Sequence, residues 1–348
     1  MEQSKSGARA ILLDVFRIIL CLGVVVYHYT PNRPSSGPFM VLGFFVMSGF
    51  LLGLYFDKAE NFDVRGFFVK KAKRLLPMFF ATLGMGGVGI FAKNAVAPEM
   101  FPLLPCSNIH DWTHCLLTKV VSHYNTPLWF MVVEISFLVC APLFYVLYRT
   151  GRGVGLCSLL AVCLLTSIFL FMQVPAESLA FAGDLYYRPL YRAWQFIAGL
   201  AAAQVFCFLS RKKKFTLFLW RKQITIVFFI VFVCISVYLM QAKQGGDLAY
   251  VNYDIRFDMA SVGFFAILIP MLYSLRVDCS ARVASIITYA AMLTYPMYLI
   301  HDLVYAARRL PDIFLGVSLP NWICAVSAFG ISLIASAVLL HVQKKAIG

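Results

Sequence analysis

Charge is scarce in this 348-residue chain. Asp, Glu, Lys and Arg make up 13% of it, where a soluble domain carries about 25%. Apolar stretches recur along the whole length, so no segment is left over for a soluble domain. No cleavable signal peptide is expected from the first apolar stretch, which is too long for a signal h-region and carries charged side chains. There is no low-complexity tract and no clear internal repeat. No Gly-x-Ser-x-Gly elbow frames a serine nucleophile. Nor is there the inverted repeat with matched broken helices that marks many secondary transporters. Acids are the scarcest charge, 16 against 30 Lys and Arg, which leaves a net charge of +14.

What the chain has is hydrophobicity, at 61% of residues. Candidate spans fall at 10–29, 38–56, 75–93, 127–148, 153–173, 190–210, 223–240, 257–275, 283–301 and 319–341, each close to the ~20 residues a helix needs to cross a bilayer. The end of the ninth is open; it either runs past His301 or stops before it. The expected fold is all-α, a polytopic membrane protein of about ten transmembrane helices in one integral membrane domain, 1–348. With the N-terminus inside, 20 of the 30 basic residues and five acids lie on the inner side, and nine of each lie outside. That asymmetry is the positive-inside pattern and puts both termini in the cytoplasm. It accounts for the net charge with no nucleic acid partner, and the basic runs suit contact with anionic membrane lipid.

Ionisable groups inside spans are costly, so each is read as a functional candidate facing the protein interior. The first span carries Asp14, Arg17 and His28. Eleven residues separate Arg17 from His28, which returns to within about 20° of one helical face and sets them about 16 Å apart along it. Asp14 lies one turn below Arg17. Glu134 sits inside the fourth span, with Arg17, Arg188 and Arg192 as available partners. In the second span, Gly43, Ser48, Gly49 and Gly53 form a small flank that lets a neighbouring helix or an acyl chain approach closely. Before Pro77, Lys70, Lys71, Lys73 and Arg74 make a cytoplasmic cluster. It reads either as a topology signal or as a phosphate cradle at a helix start, where free N–H groups and cations converge.

Ten cysteines are present. Eight fall in or beside apolar spans and read as small buried hydrophobes. Cys106 and Cys115 lie in an outer loop, where a disulfide is the favoured reading. A metal site with His110 and His114, or two free thiols, are the rivals.

In this order and spacing the motifs resemble the acyltransferase-3 family of integral membrane acyltransferases. The resemblance covers nearly the full length. The first-span Arg–His pattern matches Arg17 and His28, and a Phe-rich Ser-Gly-Phe motif matches Phe44, Phe45, Ser48, Gly49 and Phe50. A cytoplasmic Arg-x-x-Arg matches Lys71 to Arg74, with Lys in place of the first Arg, which keeps the charge but not the bidentate fork. A Trp-plus-Glu element matches Trp129 and Glu134, and a late Ser/Thr-Tyr-Pro-x-Tyr-x-x-His element matches residues 294–301. The resemblance implies transfer of an acyl group, usually acetyl, from cytoplasmic acyl-CoA to a hydroxyl of an extracytoplasmic glycan or lipid-linked saccharide.

It further implies the inner membrane of a bacterium, acetyl-CoA as donor and no metal. It also implies the stand-alone membrane form, since the chain ends seven residues after His341. On that reading His28 is the general base, its ordinary pKa near 6.5 suiting the work. Arg17, paired with Asp14, binds donor phosphate or meets developing charge. Lys70, Lys71, Lys73, Arg74 and Ser48 line the donor site. The rival class is a multi-pass proton-coupled transporter, which the buried Arg, His and Glu would also suit.

Overall fold

In a bilayer every backbone N–H and C=O has to be satisfied within the chain, so long apolar runs fold as helices. The computed structural model describes residues 2–30, 36–96, 125–150, 153–173, 185–211, 222–241, 255–275, 277, 279–307 and 319–347. Among them are eleven helices and no strand. They are α1 Glu2–Tyr29, α2 Ser36–Lys58, α3 Val64–Val96, α4 Leu128–Val139, α5 Ala141–Thr150 and α6 Val154–Met172. The chain continues through α7 Pro189–Arg211, α8 Lys222–Gln241, α9 Ile255–Ser274, α10 Ala281–Ala306 and α11 Asn321–Ile347.

Eight of these are long and apolar enough to cross a membrane, and α4 with α5 forms a ninth candidate bent by 51°. The apolar part of α8, Gln223–Leu239, is shorter. Each expected span is thus occupied by a helix or, once, by two. The bend has a local cause. Pro142 has no N–H to donate to the preceding turn, so the ladder breaks at Cys140 and a new helix starts with Pro142 in its first turn. The ninth span runs past His301 to Ala306. The third starts eleven residues before its expected position, and Pro77 sits inside it.

The chain divides into two compact units. The first comprises residues 1–62, 137–186 and 190–292. Its centre is α2, with 78% of its apolar window buried, whereas α6 buries only 11% and presents a lipid-facing surface. Helices α1, α2, α8 and α9 are knitted by phenylalanines. Phe16 meets Phe232 at 5.3 Å and Phe39 meets Phe265 at 4.8 Å, all four essentially fully buried. Such ring pairs add about 0.5–1.5 kcal/mol each beyond burial. On its other side α2 meets α7 through glycine. A Cβ at Gly49 would meet the Phe196 carbonyl oxygen, and one at Gly199 the Val46 carbonyl oxygen, the close backbone approach that small residues allow in membranes. Gly153, at φ 93°, makes the turn into α6.

The second unit comprises residues 63–136, 187–189 and 293–348. Within it α3 is tied to α10 and α11 by two side chains on successive carbonyls. Tyr295 Oη donates to the Leu75 oxygen at 2.8 Å, and Gln343 Nε2 to the Arg74 oxygen at 2.6 Å. Both carbonyls lie just before Pro77, where the missing N–H loosens the helix ladder.

Candidate functional site

In the first unit α1 carries the expected row. Arg17 Nη1 lies 3.5 Å from Asp14 Oδ1, with the side chains 25% and 16% exposed. That is a long contact for a hydrogen bond but a close one for an ion pair in a half-buried place. The Thr288 side chain on α10 lies against Asp14 as well, so the carboxylate has neighbours on two helices. His28 is half-buried in the last turn of α1, beside Tyr27, whose ring meets it edge-on at 4.8 Å. Ser48 is half-buried on α2. The small flank around it serves two neighbours, since Gly43 faces Leu20 and Phe265 while Gly49 and Gly53 face α7. Helix packing therefore explains Gly49 and Gly53.

The basic cluster belongs to the second unit, and its expected setting needs correction. Lys70, Lys71, Lys73 and Arg74 do not stand at a helix start. The start is Val64, and its first turn is already capped by an anion of the protein's own. Asp63 Oδ1 accepts from the Gly66 N–H at 2.9 Å, and the Asp63 carbonyl from the Phe67 N–H. No free amides converge on Lys70–Arg74, so an anion there would be met by cations alone. Lys70, Lys73 and Arg74 are exposed. Lys71 is half-buried, its ammonium 5.5 Å from the Phe67 ring centre.

Glu134 is half-buried on α4 in the same unit. Of the arginines proposed as its partners, Arg192 is committed elsewhere. Its Nη1 pairs with Asp258 Oδ2 at 3.0 Å, both side chains at least 97% buried. Arg17 has Asp14. Cys106, Cys115, His110 and His114 lie outside the described residues.

Two sets of contacts lie beyond the sequence reading, although Arg192 and His301 themselves figure in it. One is the Arg192–Asp258 pair, 66 residues apart in sequence. Each residue is a charge at the edge of an apolar run, which is the signal that could have flagged it. The other centres on His301 in the second unit, fully buried. Its Nδ1 lies 2.8 Å from the Tyr298 carbonyl oxygen. A carbonyl only accepts, so Nδ1 carries a proton. Asn125 Nδ2 donates to the adjacent Leu299 carbonyl at 2.7 Å, and Phe130 on α4 packs on Tyr298 at 5.3 Å.

The comparisons with known proteins come to bear here. The sequence model of the acyltransferase-3 family, described as an acyltransferase domain, matches residues 11–341. A Bacillus subtilis (strain 168) protein named "Putative peptidoglycan O-acetyltransferase YrhL" is 27% identical over 215 residues, covering 56% of this chain and 33% of that protein. A "Putative O-acetyltransferase" of Staphylococcus aureus (strain COL) is 24% identical over 148 residues, 38% of this chain and 24% of its own length. The chain thus spans a third or less of the length of these relatives. No solved structure matches it.

Proposed function

The chain belongs to the acyltransferase-3 family, and from that premise we propose that it is a membrane O-acyltransferase. It moves an acyl group, acetyl first among candidates, from cytoplasmic acyl-CoA to a hydroxyl of an extracytoplasmic surface glycan or lipid-linked sugar. On this reading residues 1–348 act as one domain in the cytoplasmic membrane of a bacterium, with both termini cytoplasmic and no metal. The positive-inside count supports that orientation.

The observation that carries the proposal is the Asp14–Arg17 pair held on a helix that ends in His28. A charge pair inside a span is expensive and is kept where it acts. His28 takes the proton of the acceptor hydroxyl as its oxygen attacks the thioester carbonyl. The C–O bond forms, the C–S bond breaks, and the proton passes to the departing CoA thiolate. The ~16 Å rise between His28 and Arg17 exceeds what one arginine side chain reaches. Arg17 therefore serves the donor, meeting its phosphates or arm, rather than the oxyanion beside His28. Lys70, Lys71, Lys73 and Arg74 take CoA phosphates by charge alone, and their backbone is held by Tyr295 and Gln343. Ser48 lines the donor path, and Glu134, half-buried on α4, belongs to the catalytic set.

Purified protein in nanodiscs, given acetyl-CoA labelled in the acetyl group and de-O-acylated surface polysaccharide, tests the proposal. Label on polysaccharide hydroxyls supports it. Label that never leaves CoA, together with proton-coupled solute uptake into proteoliposomes, supports the transporter class instead.

A further inference from the structure

A chain of contacts in the first unit links four helix ends, beginning with the end of α1 that carries His28. Tyr27, the neighbour of His28, packs where Gly37 at the start of α2 has no side chain. Two residues on, Phe39 meets Phe257 at the start of α9, 6.1 Å between ring centres. The next residue, Asp258, pairs with Arg192 at the start of α7. The buried charges of α7 and α9 therefore lie at the end of the unit that carries His28.

The pair is more elaborate than a structural bridge requires. Arg192 Nε donates to the Tyr186 carbonyl at 2.9 Å, and the guanidinium lies over the Tyr186 ring at 3.9 Å. Gln195, one turn along α7, donates Nε2 to the same Asp258 Oδ2 at 3.1 Å. A carboxylate oxygen accepts, so the amide nitrogen faces it and Oε1 faces away. Two atoms are then left over beside one carboxylate oxygen. They are Arg192 Nη2, a donor, and Gln195 Oε1, an acceptor. Both residues are fully buried, and neither atom has a hydrogen-bond partner among the described residues. Buried polar atoms of native proteins are almost always satisfied, so such a pair implies a group that comes to meet it.

The donor–acceptor combination selects the chemistry. A phosphate satisfies Nη2 and leaves Oε1 orphaned. An ammonium satisfies Oε1 and is repelled by the guanidinium. An acyl chain satisfies neither. A hydroxyl accepts from the N–H and donates to the carbonyl at once. We propose that Arg192, Gln195 and Asp258 form a hydroxyl-recognition site for the saccharide acceptor, at the end of the unit where His28 stands. The inference rests on the glycan-acceptor reading above and adds to it a place and a set of residues. Arg192 and Gln195 touch the sugar. Asp258 is a positioning residue, which holds both in register through one oxygen.

The test uses the full chain in nanodiscs and de-O-acylated surface polysaccharide, end-labelled with a fluorophore, from a bacterium that makes this protein. Affinity for the polysaccharide and, separately, for acetyl-CoA is measured for the wild type, Gln195→Met and Arg192→Lys. Gln195→Met keeps the length and apolar stem and removes the amide. The expected result is at least a tenfold loss of polysaccharide affinity with acetyl-CoA affinity unchanged. If Arg192→Lys does not fold, Gln195→Met decides alone. Unchanged polysaccharide affinity in Gln195→Met overturns the site and leaves the two atoms to water. Equal losses for polysaccharide and acetyl-CoA overturn it too, as a structural role. A wild type that binds acetyl-CoA but no polysaccharide overturns the site while sparing a donor-side activity. Polysaccharide binding that depends on Gln195, with no acyl transfer, keeps the site and removes the transferase reading.

Discussion

Adding one methyl group at Gly49 or Gly199 separates two meanings of the small flank on α2. In a helix, Gly→Ala is favourable by up to about 1 kcal/mol, because alanine loses less backbone entropy. At Gly49 the new Cβ meets the Phe196 carbonyl oxygen and approaches the Leu200 nitrogen to 3.0 Å, and at Gly199 it meets the Val46 carbonyl. These are backbone atoms of a facing helix, which cannot rotate away, so the two helices have to part. Overpacking of this kind costs about 1–3 kcal/mol, and rigid neighbours put it toward the upper end. The clash outweighs the propensity, and each substitution should destabilise by about 1–2 kcal/mol. Parting α2 from α7 once relieves both sites, so the double variant should lose less than the sum of the singles. Gly263 and Gly330 supply the control, for a Cβ at either meets nothing within 4 Å. Alanine there should be neutral or stabilising by at most about 1 kcal/mol. Denaturant unfolding in detergent reads all five variants. Gly49→Ala behaving like Gly263→Ala would refute the packing argument. Lost turnover at unchanged stability would instead give the flank to a passing acyl chain.

Other consequences follow from the same geometry. Arg74→Ala should weaken acetyl-CoA binding about tenfold by calorimetric titration, because an exposed cation without helix-start amides to help it delivers only the low end of a charge-assisted contact. Arg74→Lys should recover part of that, and equal affinities would leave the cluster as a topology signal. Tyr295→Phe and Gln343→Leu, which release the Leu75 and Arg74 carbonyls, should speed amide exchange in residues 72–80 and raise the acetyl-CoA Kd several-fold. Unaltered exchange would sink the clamp. Arg192→Met strands a buried Asp258 and should destabilise by about 3–5 kcal/mol in denaturant unfolding, with Arg192→Met/Asp258→Leu regaining most of it. A double variant no better than the single would show that the pair is not coupled.

What could be read in the sequence and what could not divides along range. The spans were legible because an apolar run of ~20 residues in lipid has one cheap solution. Asp14 and Arg17 were legible because i and i+3 are neighbours on any helix. The break at Cys140 was hidden by apolar sequence on both sides, although Pro142 marks it. The start of α3 was misplaced because Pro77 was read as a beginning. Lys, Arg, Leu and Ala before it are good helix formers, and a proline ring is tolerated inside a membrane helix; it leaves the Lys73 carbonyl without its helical donor, and Gln343 and Tyr295 hold the next two carbonyls, of Arg74 and Leu75. The Arg192–Asp258–Gln195 group joins two distant helices, and no periodicity reports a pairing across 66 residues. Thr288, which meets Asp14 from α10, was out of reach for the same reason.

The central claim is that His28 draws the proton from an acceptor hydroxyl, on the helix whose other charges serve the donor. Mass spectrometry of the surface glycan, from cells that lack the protein and carry either the wild type or His28→Ala, tests it directly. Equal membrane levels and equal acetyl-CoA affinity of the purified proteins are confirmed alongside. The account expects O-acyl groups with the wild type and none with His28→Ala. Glycan acylation retained by His28→Ala would contradict it.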